Sequence, residues 1–195
     1  MTVGVSVHAV VTGSRANGPG ARTVVWFQGC PLACPGCFNQ ETHVSGEDLV
    51  DISVLVDDLL ARDAHPSGLT VSGGEPLAQP VALGELIALW KSRSGTSVIV
   101  STGFEWAEIE SDPLRAAGIK NADVVIAGRY NSRLHLGSTL RGSSNKTYHF
   151  LTDFFQINEL IDVPEFEVVI SPDGTVHVSG VAGSQPLADL LGFGS

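Results

Sequence analysis

Three cysteines are the side chains of this sequence best suited to chemistry. Cys30, Cys34 and Cys37 are all the cysteines of a 195-residue chain, and they lie within eight positions of one another. An apolar run over residues 23–27 precedes them and predicts a buried strand whose carboxyl end carries the cysteine loop. Open α/β sheets and barrels place their sites at such strand ends. Three thiolates at this spacing can reach three corners of an iron–sulfur cubane.

Other uses of three clustered cysteines remain open at this point. A structural zinc ion needs four ligands, and His43, six residues after Cys37, can supply the fourth. A disulfide leaves one thiol over and is typical of secreted proteins, whereas the first residues show no basic segment followed by an apolar one. A redox Cys-x-x-Cys pair uses Cys34 and Cys37 but leaves Cys30 without a role. A four-iron cluster with one iron open to a non-protein ligand uses all three cysteines.

Two further polar segments lie at the carboxyl ends of predicted strands. Residues 72–77, Ser-Gly-Gly-Glu-Pro-Leu, follow the apolar run at 69–71. Adjacent glycines let backbone groups approach a ligand without obstruction by Cβ, and a proline restricts the exit of the turn. Ser101 and Thr102 end the next predicted strand, although hydroxyl groups also occur at strand ends without any ligand. The pattern predicts that these segments share one rim with the cysteine loop.

Taken in order, these segments resemble the radical S-adenosylmethionine (SAM) superfamily. The cysteine spacing is that of the superfamily, and Gly-Gly-Glu-Pro at residues 73–76 is similar to its SAM-binding segment. Asn-Gly-Pro-Gly-Ala-Arg at residues 17–22 and Cys-Phe-Asn at residues 37–39 resemble glycyl-radical-enzyme activating enzymes. Arg-Gly-Ser-Ser-Asn at residues 141–145 is similar to the activating proteins of anaerobic ribonucleotide reductase, which give the nearest resemblance.

The resemblance implies a set of site residues. Cys30, Cys34 and Cys37 are implied as ligands of a [4Fe-4S] cluster whose open iron is chelated by the amino and carboxylate groups of SAM. The residues implied as SAM contacts lie at strand ends and in the loops beside them: Asn39, Gly73, Gly74, Glu75, Pro76, Ser101, Thr102 and Arg141. Within the last motif, Arg141 and Asn145 offer polar groups that order the site or dock a peptide, or that belong to a polar loop capping the barrel.

Three positions near these motifs leave questions open. The family pattern has an aspartate immediately before Gly128, where this chain has Ala127, and this departure leaves the substrate open. Arg129 retains a cation where a basic residue is usual. Arg22 supplies either a charge near the site or a surface cation. Beyond Leu151 the resemblance fades.

The resemblance implies an oxidoreductase of the activase type. In the family, the reduced cluster passes one electron to SAM, which cleaves to methionine and a 5′-deoxyadenosyl radical that removes hydrogen from a glycine α-carbon of a large partner. The implied partner is an anaerobic ribonucleotide reductase, and the implied electron donor is of the flavodoxin or ferredoxin type. Two alternatives stay open: radical SAM chemistry on a small molecule or ribosomal peptide, and a non-catalytic metal-binding or redox-sensing domain.

Composition limits the partners of the chain. The formal net charge of -10 speaks against sequence-independent binding to nucleic acid or to an anionic membrane, because both need a basic face. No apolar run approaches the roughly 18 residues that span a bilayer, and no signal peptide is evident. We therefore expect a cytoplasmic protein, since a reducing compartment suits exposed thiolates.

Alternating strands and helices must position the candidate site. The patterns predict strands at residues 3–11, 69–71, 97–102 and 122–127, and helices at 46–62, 79–93 and 106–117. Ser45 is the expected N-cap of the first helix, and Pro113 is expected to break the last. Repetition of strand then helix favours parallel strands with right-handed crossovers, and hence an α/β fold in the form of an incomplete (β/α) radical SAM barrel.

The last part of the chain predicts a smaller element. Residues 166–170 and 175–178 alternate on either side of a Pro-Asp-Gly turn, which is typical of a β-hairpin. We expect the partial barrel to occupy residues 1–151. Residues 152–195 are expected to form an extension, with this hairpin, within the same compact unit.

Overall fold

The structure, a computed structural model, describes residues 3–46, 48–170, 174 and 176–180. The strands of these residues are β1 (Gly4–Val5), β2 (Val7–Ser14), β3 (Arg22–Phe27), β4 (Val50–Asp51), β5 (Gly68–Gly73), β6 (Ser97–Ser101), β7 (Val124–Ala127), β8 (Thr147–Phe150), β9 (Phe166–Ile170) and β10 (Val176–Gly180). The α-helices are α1 (Ile52–Arg62), α2 (Pro80–Ser94), α3 (Trp106–Glu110), α4 (Pro113–Ile119) and α5 (Ile157–Ile161). Short 3₁₀ helices span Gln40–Thr42, Pro76–Ala78 and Ser132–Leu134.

A mixed sheet of six strands forms the centre of the described residues, in the order β2-β3-β5-β6-β7-β8. The middle strands β3, β5, β6 and β7 are parallel, whereas β2 and β8 add to the two edges antiparallel. Helices lie between successive parallel strands because such strands need a long crossover rather than a tight turn. The expected α/β class with parallel strands is confirmed.

Apolar side chains of the sheet and of α1 and α2 form the larger core. Val25, Val71 and Val100 lie side by side on neighbouring parallel strands and are fully buried. Leu59 of α1 and Leu86 of α2 belong to the same cluster. Full burial of one such side chain contributes roughly 1.5–3 kcal/mol, so this core fixes the sheet beneath the site. No helix of the described residues is both long and apolar enough to cross a bilayer.

The first helix begins later than its apolar pattern predicts. Asp51, rather than Ser45, caps α1, and its carboxylate accepts hydrogen bonds from Ser53 N at 2.8 Å and Val54 N at 3.4 Å. The reason is tertiary, because Val50 and Asp51 pair antiparallel with β1 and are therefore extended. The predicted break at Pro113 is confirmed.

In the second half of the chain, the sequence predicts the C-terminal hairpin but not the strand β8. The sequence patterns assigned no strand to residues 147–150, yet β8 pairs with β7 along its whole length. The predicted C-terminal hairpin is confirmed as β9 and β10, while its turn at residues 171–173 lies outside the described part. The hairpin contacts the loop after β2, since Asn17 Nδ2 donates to Ser179 Oγ at 2.6 Å.

A buried arginine joins the amino ends of three parallel strands. Arg22 has no exposed surface, so it is not a surface cation, and its side chain bonds at the strand ends opposite the cysteine loop. Its Nε donates to Thr70 Oγ1 at 2.8 Å, its Nη1 to Ser97 Oγ at 3.0 Å and its Nη2 to Leu69 O at 2.6 Å. Burial lowers the pKa of Arg22 to about 9, and the charge of Asp123 opposes that shift.

We expect Arg22→Ala to destabilise the fold by at least about 3 kcal/mol, because it opens a cavity and leaves buried acceptors unpaired. Urea unfolding followed by circular dichroism measures the change. Arg62→Ala is the matched control, since Arg62 pairs with Asp58 on the surface and should contribute less than about 1 kcal/mol. Equal unfolding midpoints for the two variants would contradict this role of Arg22.

Candidate active site

The cysteine loop leaves the carboxyl end of β3 and is closed at its base by backbone hydrogen bonds. Gly29 N donates to Thr42 O at 2.8 Å, and Cys30 N donates to His43 O at 3.1 Å. The 3₁₀ helix Gln40–Thr42 forms the returning arm of the loop. These bonds hold both ends of the loop together through the protein backbone alone.

The three cysteines of this loop are free thiols of intermediate exposure that line the same cleft. Inside the loop, Cys37 N donates to Cys34 O at 3.1 Å. Burial raises the pKa of the Cys37 thiol, a backbone hydrogen bond at Asn39 lowers it, and Cys34 and Cys30 raise it again. The three thiols thus share one cleft, in which Cys34 and Cys30 disfavour the ionised form of Cys37.

This donor set fits a cluster better than a single ion. A zinc ion needs its ligands within one tetrahedron, whereas a four-iron cluster takes each thiolate at a separate iron. In the part of the chain that the structure describes, no three His, Cys, Asp or Glu side chains converge on one ion, and His43 does not complete such a site. Three free thiols spread over one loop fit a [4Fe-4S] cluster held at three corners.

The glycine pair at the end of β5 packs against the base of the cysteine loop. Gly74 N donates to Phe27 O at 2.8 Å, and Glu75 N donates to Gly29 O at 2.9 Å. A Cβ on Gly74 would lie 2.4 Å from Gly29 O, and Gly73 has a φ of +106°. The glycines are thus required by the approach of two backbone segments, in addition to any ligand that they admit.

The carboxylate of Glu75 connects the ends of β5 and β6. It is fully buried and accepts hydrogen bonds from Thr102 Oγ1 at 2.6 Å, Gly103 N at 2.7 Å and Leu77 N at 2.8 Å. Burial raises the pKa of this carboxyl, while the three hydrogen bonds lower it. The polar groups of Glu75 and Thr102 therefore bond to each other and to neighbouring backbone, and so hold the frame of the site. Pro76 is buried at the start of the 3₁₀ helix Pro76–Ala78.

A cleft of about 310 Å³ brings most of the predicted site residues together. Ten of the eleven line it: Cys30, Cys34, Cys37, Asn39, Gly73, Gly74, Glu75, Ser101, Thr102 and Arg141. Pro76 does not line it and instead fixes the turn behind it. The cleft also contains residues that were given no role from the sequence, among them Asn17, Tyr130 and Lys146.

Lys146 is the most unexpected of these residues. It is 8% exposed, and its Nζ donates to Ser101 Oγ at 3.2 Å. Burial lowers the pKa of Lys146 to about 8, while Glu75, Cys34 and Cys37 raise it. This lysine was missed from the sequence because β8, which begins at the next residue, was missed. The β-prone residues 147–150 were the signal for that strand.

The cations Arg129 and Arg141 are engaged differently. Arg129 forms two hydrogen bonds with the carboxylate of Glu108, at 2.7 and 2.8 Å. Arg141 Nη1 donates to Lys146 O at 3.2 Å, and its guanidinium lies 5.6 Å from the Tyr148 ring centroid. Its Nε is buried without a hydrogen-bond partner. Arg141 thus both orders the loop and keeps one donor for a ligand.

Aromatic rings border the cleft next to the last cysteine. Phe38 meets Tyr130 edge to face, with ring centroids 5.1 Å apart. Tyr130 Oη lies 3.1 Å from His135 Nδ1, and both Phe38 and Tyr130 line the cleft. Asn145 Nδ2 donates to Arg129 O at 2.8 Å, so Asn145 orders the loop beside these rings. Two aromatic rings thus form the wall of the cleft beside Cys37.

Known families match most of the chain. Residues 16–149 match the family described as "4Fe-4S single cluster domain". The chain is 30% identical over 144 residues to the anaerobic ribonucleoside-triphosphate reductase-activating protein of Salmonella typhi, which covers 69% of this chain and 92% of that protein. The protein of the same name from Enterobacteria phage T4 is 30% identical over 142 residues, which is 70% of this chain and 88% of the relative.

A second group of relatives is longer. The pyruvate formate-lyase-activating enzyme of Clostridium pasteurianum is 32% identical over 125 residues, which is 62% of this chain but 50% of the relative. The chain therefore spans about half the length of that enzyme, against nine-tenths of the Salmonella protein.

We expect Gly74→Ala to impair cluster loading while leaving the fold intact. The new Cβ would clash with Gly29 O at 2.4 Å and Thr42 O at 2.9 Å, so the base of the cysteine loop must shift. Iron content per chain after anaerobic reconstitution should fall at least about twofold, with an unchanged far-ultraviolet circular dichroism spectrum. Gly137→Ala is the matched control, because a Cβ added at Gly137 would have no neighbouring atom within 4 Å. Full loading of Gly74→Ala would show that the close contact is dispensable.

Proposed function

The chain belongs to the 4Fe-4S single cluster domain family and to the anaerobic ribonucleoside-triphosphate reductase-activating proteins, and on this premise we propose that it installs a glycyl radical on an anaerobic ribonucleotide reductase. Proteins of this family are radical SAM activating enzymes, and their cofactors are a [4Fe-4S] cluster and SAM. The observation that carries the proposal is the meeting of three free thiols with the backbone of Gly73 and Gly74 in one cleft.

Different residues of the cleft would bind the two cofactors, the cluster and SAM. Cys30, Cys34 and Cys37 would hold the cluster, which when bound supplies one electron for cleavage of the SAM sulfonium. The backbone at Gly73 and Gly74 is open to the cleft and would bind the amino group of SAM. The protein's part is to place these groups beside each other and to exclude water.

Polar side chains around this pair would orient the rest of SAM. Ser101 ends β6 at the cleft, Asn39 follows the last cysteine, and Arg141 lines the cleft with its Nε unpaired. Glu75 and Thr102 serve the same purpose indirectly, because their mutual hydrogen bond holds the ends of two strands. Binding through many fixed polar groups favours a single orientation of the reacting atoms.

We propose that the sheet is the incomplete barrel of a radical SAM enzyme. Its edge strands β2 and β8 both run antiparallel to their neighbours and do not pair with each other in the described residues. An opening between them would admit the glycine-bearing loop of a large protein. The region 1–151 would then be the catalytic barrel, and 152–195 an extension whose hairpin touches the loop after β2.

The remaining partners follow from charge and redox chemistry. The net charge of -10 disfavours nucleic acid and anionic membrane as partners. Three free thiols at a cleft suit the reducing conditions of the cytoplasm. We infer that a flavodoxin or ferredoxin-type protein delivers the electron, since reduction of a four-iron cluster needs a one-electron donor of low potential.

We expect the reconstituted protein to form 5′-deoxyadenosine and methionine from SAM and dithionite under anaerobic conditions. Cys34→Ala should reduce the yield to that of a mixture without protein, because the cluster loses one of three ligands. Liquid chromatography of the products measures the yield. A wild-type protein that holds a cluster and never cleaves SAM would return the cysteine loop to a structural or sensing role.

A second measurement tests the partner. With SAM and reductant, the wild-type protein should produce the electron paramagnetic resonance (EPR) signal of a glycyl radical on an anaerobic ribonucleotide reductase. Deuterium at the target glycine should pass to 5′-deoxyadenosine. A reductase without its glycine-bearing loop should show neither, and pyruvate formate-lyase is the comparison partner. Deuterium transfer that persists without the loop, or radical formation on the lyase alone, would contradict the assignment.

A further inference from the structure

Lys146 places a buried positive charge in the cleft that the mechanism above does not use. The side chain is more than nine-tenths buried and reaches the rim of the sheet at Ser101. Its ammonium group has three donors, of which the described residues accept one. Burying a charge without enough hydrogen-bond or ionic partners is unfavourable. A buried charge of this kind therefore indicates a functional site.

No carboxylate neutralises this charge by direct contact in the described part of the chain. The ion pairs found there involve other cations, including Arg129, whose charge is balanced by Glu108. Glu75 also lines the cleft and raises the pKa of Lys146, but its oxygen atoms already accept from Thr102, Gly103 and Leu77. Lys146 is therefore left with long-range partners.

The candidate cluster ligands lie in the same cleft. Cys34 and Cys37 line it together with Lys146, and these two residues and Glu75 raise the pKa of Lys146. A thiolate bound to iron is permanently deprotonated, so cluster binding strengthens this attraction. Because Lys146 is buried and the thiols are half-buried, the attraction is screened less than between two surface charges.

We propose that Lys146 sets the reduction potential of the cluster, as the positive charge that stabilises the electron added on reduction. The inference rests on the proposed function, because it requires the cluster. A cluster held by three thiolates becomes more negative by one unit when a donor of the flavodoxin or ferredoxin class reduces it. A fixed cation nearby favours the reduced form, and net charge is one of the factors that determine such potentials. Lys146 thus acts on the cluster through its positive charge and takes no part in bond cleavage.

The decisive measurement is a potentiometric titration of the reconstituted protein without SAM, followed by EPR of the reduced cluster. Lys146→Met keeps an unbranched apolar side chain, one atom shorter than that of lysine, and removes its charge. We expect the equilibrium constant for reduction to fall on the order of tenfold, because a unit charge in the same cleft is lost from a medium whose effective dielectric constant is about 20. For one electron this is a shift of about 59 mV to more negative potential.

Two further variants separate charge from packing. Lys146→Arg retains the charge and should leave the potential close to that of the wild type. Lys120→Met makes the same chemical change at an exposed position outside the cleft and should not shift the potential. Iron content is measured for each, so that poor loading is not mistaken for an altered potential.

The outcomes distinguish this inference from the function on which it rests. A wild-type protein without an EPR-active four-iron cluster would refute the proposed function. A loaded Lys146→Met protein with the wild-type potential would overturn the role of Lys146 and leave the function intact. An equal shift in Lys146→Arg and Lys146→Met would assign the effect to packing, and would overturn the inference as well.

Discussion

The buried carboxylate of Glu75 is the interaction on which the geometry of the cleft depends. It accepts from three donors in the segments that follow β5 and β6, while its own backbone N–H bonds to the base of the cysteine loop. A charged acceptor that is fully satisfied in a buried place is rigid, because any displacement leaves an unpaired group in a medium of low dielectric constant. Three strand ends thereby behave as one unit.

The opposite end of the sheet has the complementary arrangement. Arg22 bonds to groups at the starts of β5 and β6, where it lies beneath the core rather than in the cleft. A cation therefore fastens the amino ends of the strands, and an anion fastens their carboxyl ends. This separation is typical of parallel α/β architectures, in which one end provides stability and the other carries the chemistry.

The sequence predicted the parts of this structure that depend on local pattern. Parallel strands with intervening helices, the fresh helix start at Pro113 and the gathering of the cysteines with Gly73 and Gly74 follow from periodicity and spacing. The predicted start of α1 was wrong because β1 pairs with Val50 and Asp51, a contact between distant segments. The sequence did not identify Lys146 as a site residue, because its burial depends on the pairing of β8 with β7. The sequence pattern of a single segment does not show that the carboxylate of Glu75 bonds to several segments at once.

The closed base of the cysteine loop has a consequence for the life of the protein in air. Oxygen destroys exposed iron–sulfur clusters, and a loop shaped only by its metal would unravel when the iron left. Here Gly29 and Cys30 are bonded to Thr42 and His43 by the backbone itself. Those bonds close the loop without the metal, and the sheet has its own buried core. A loop that is closed without its metal would leave the apoprotein shaped to take up iron and sulfide again.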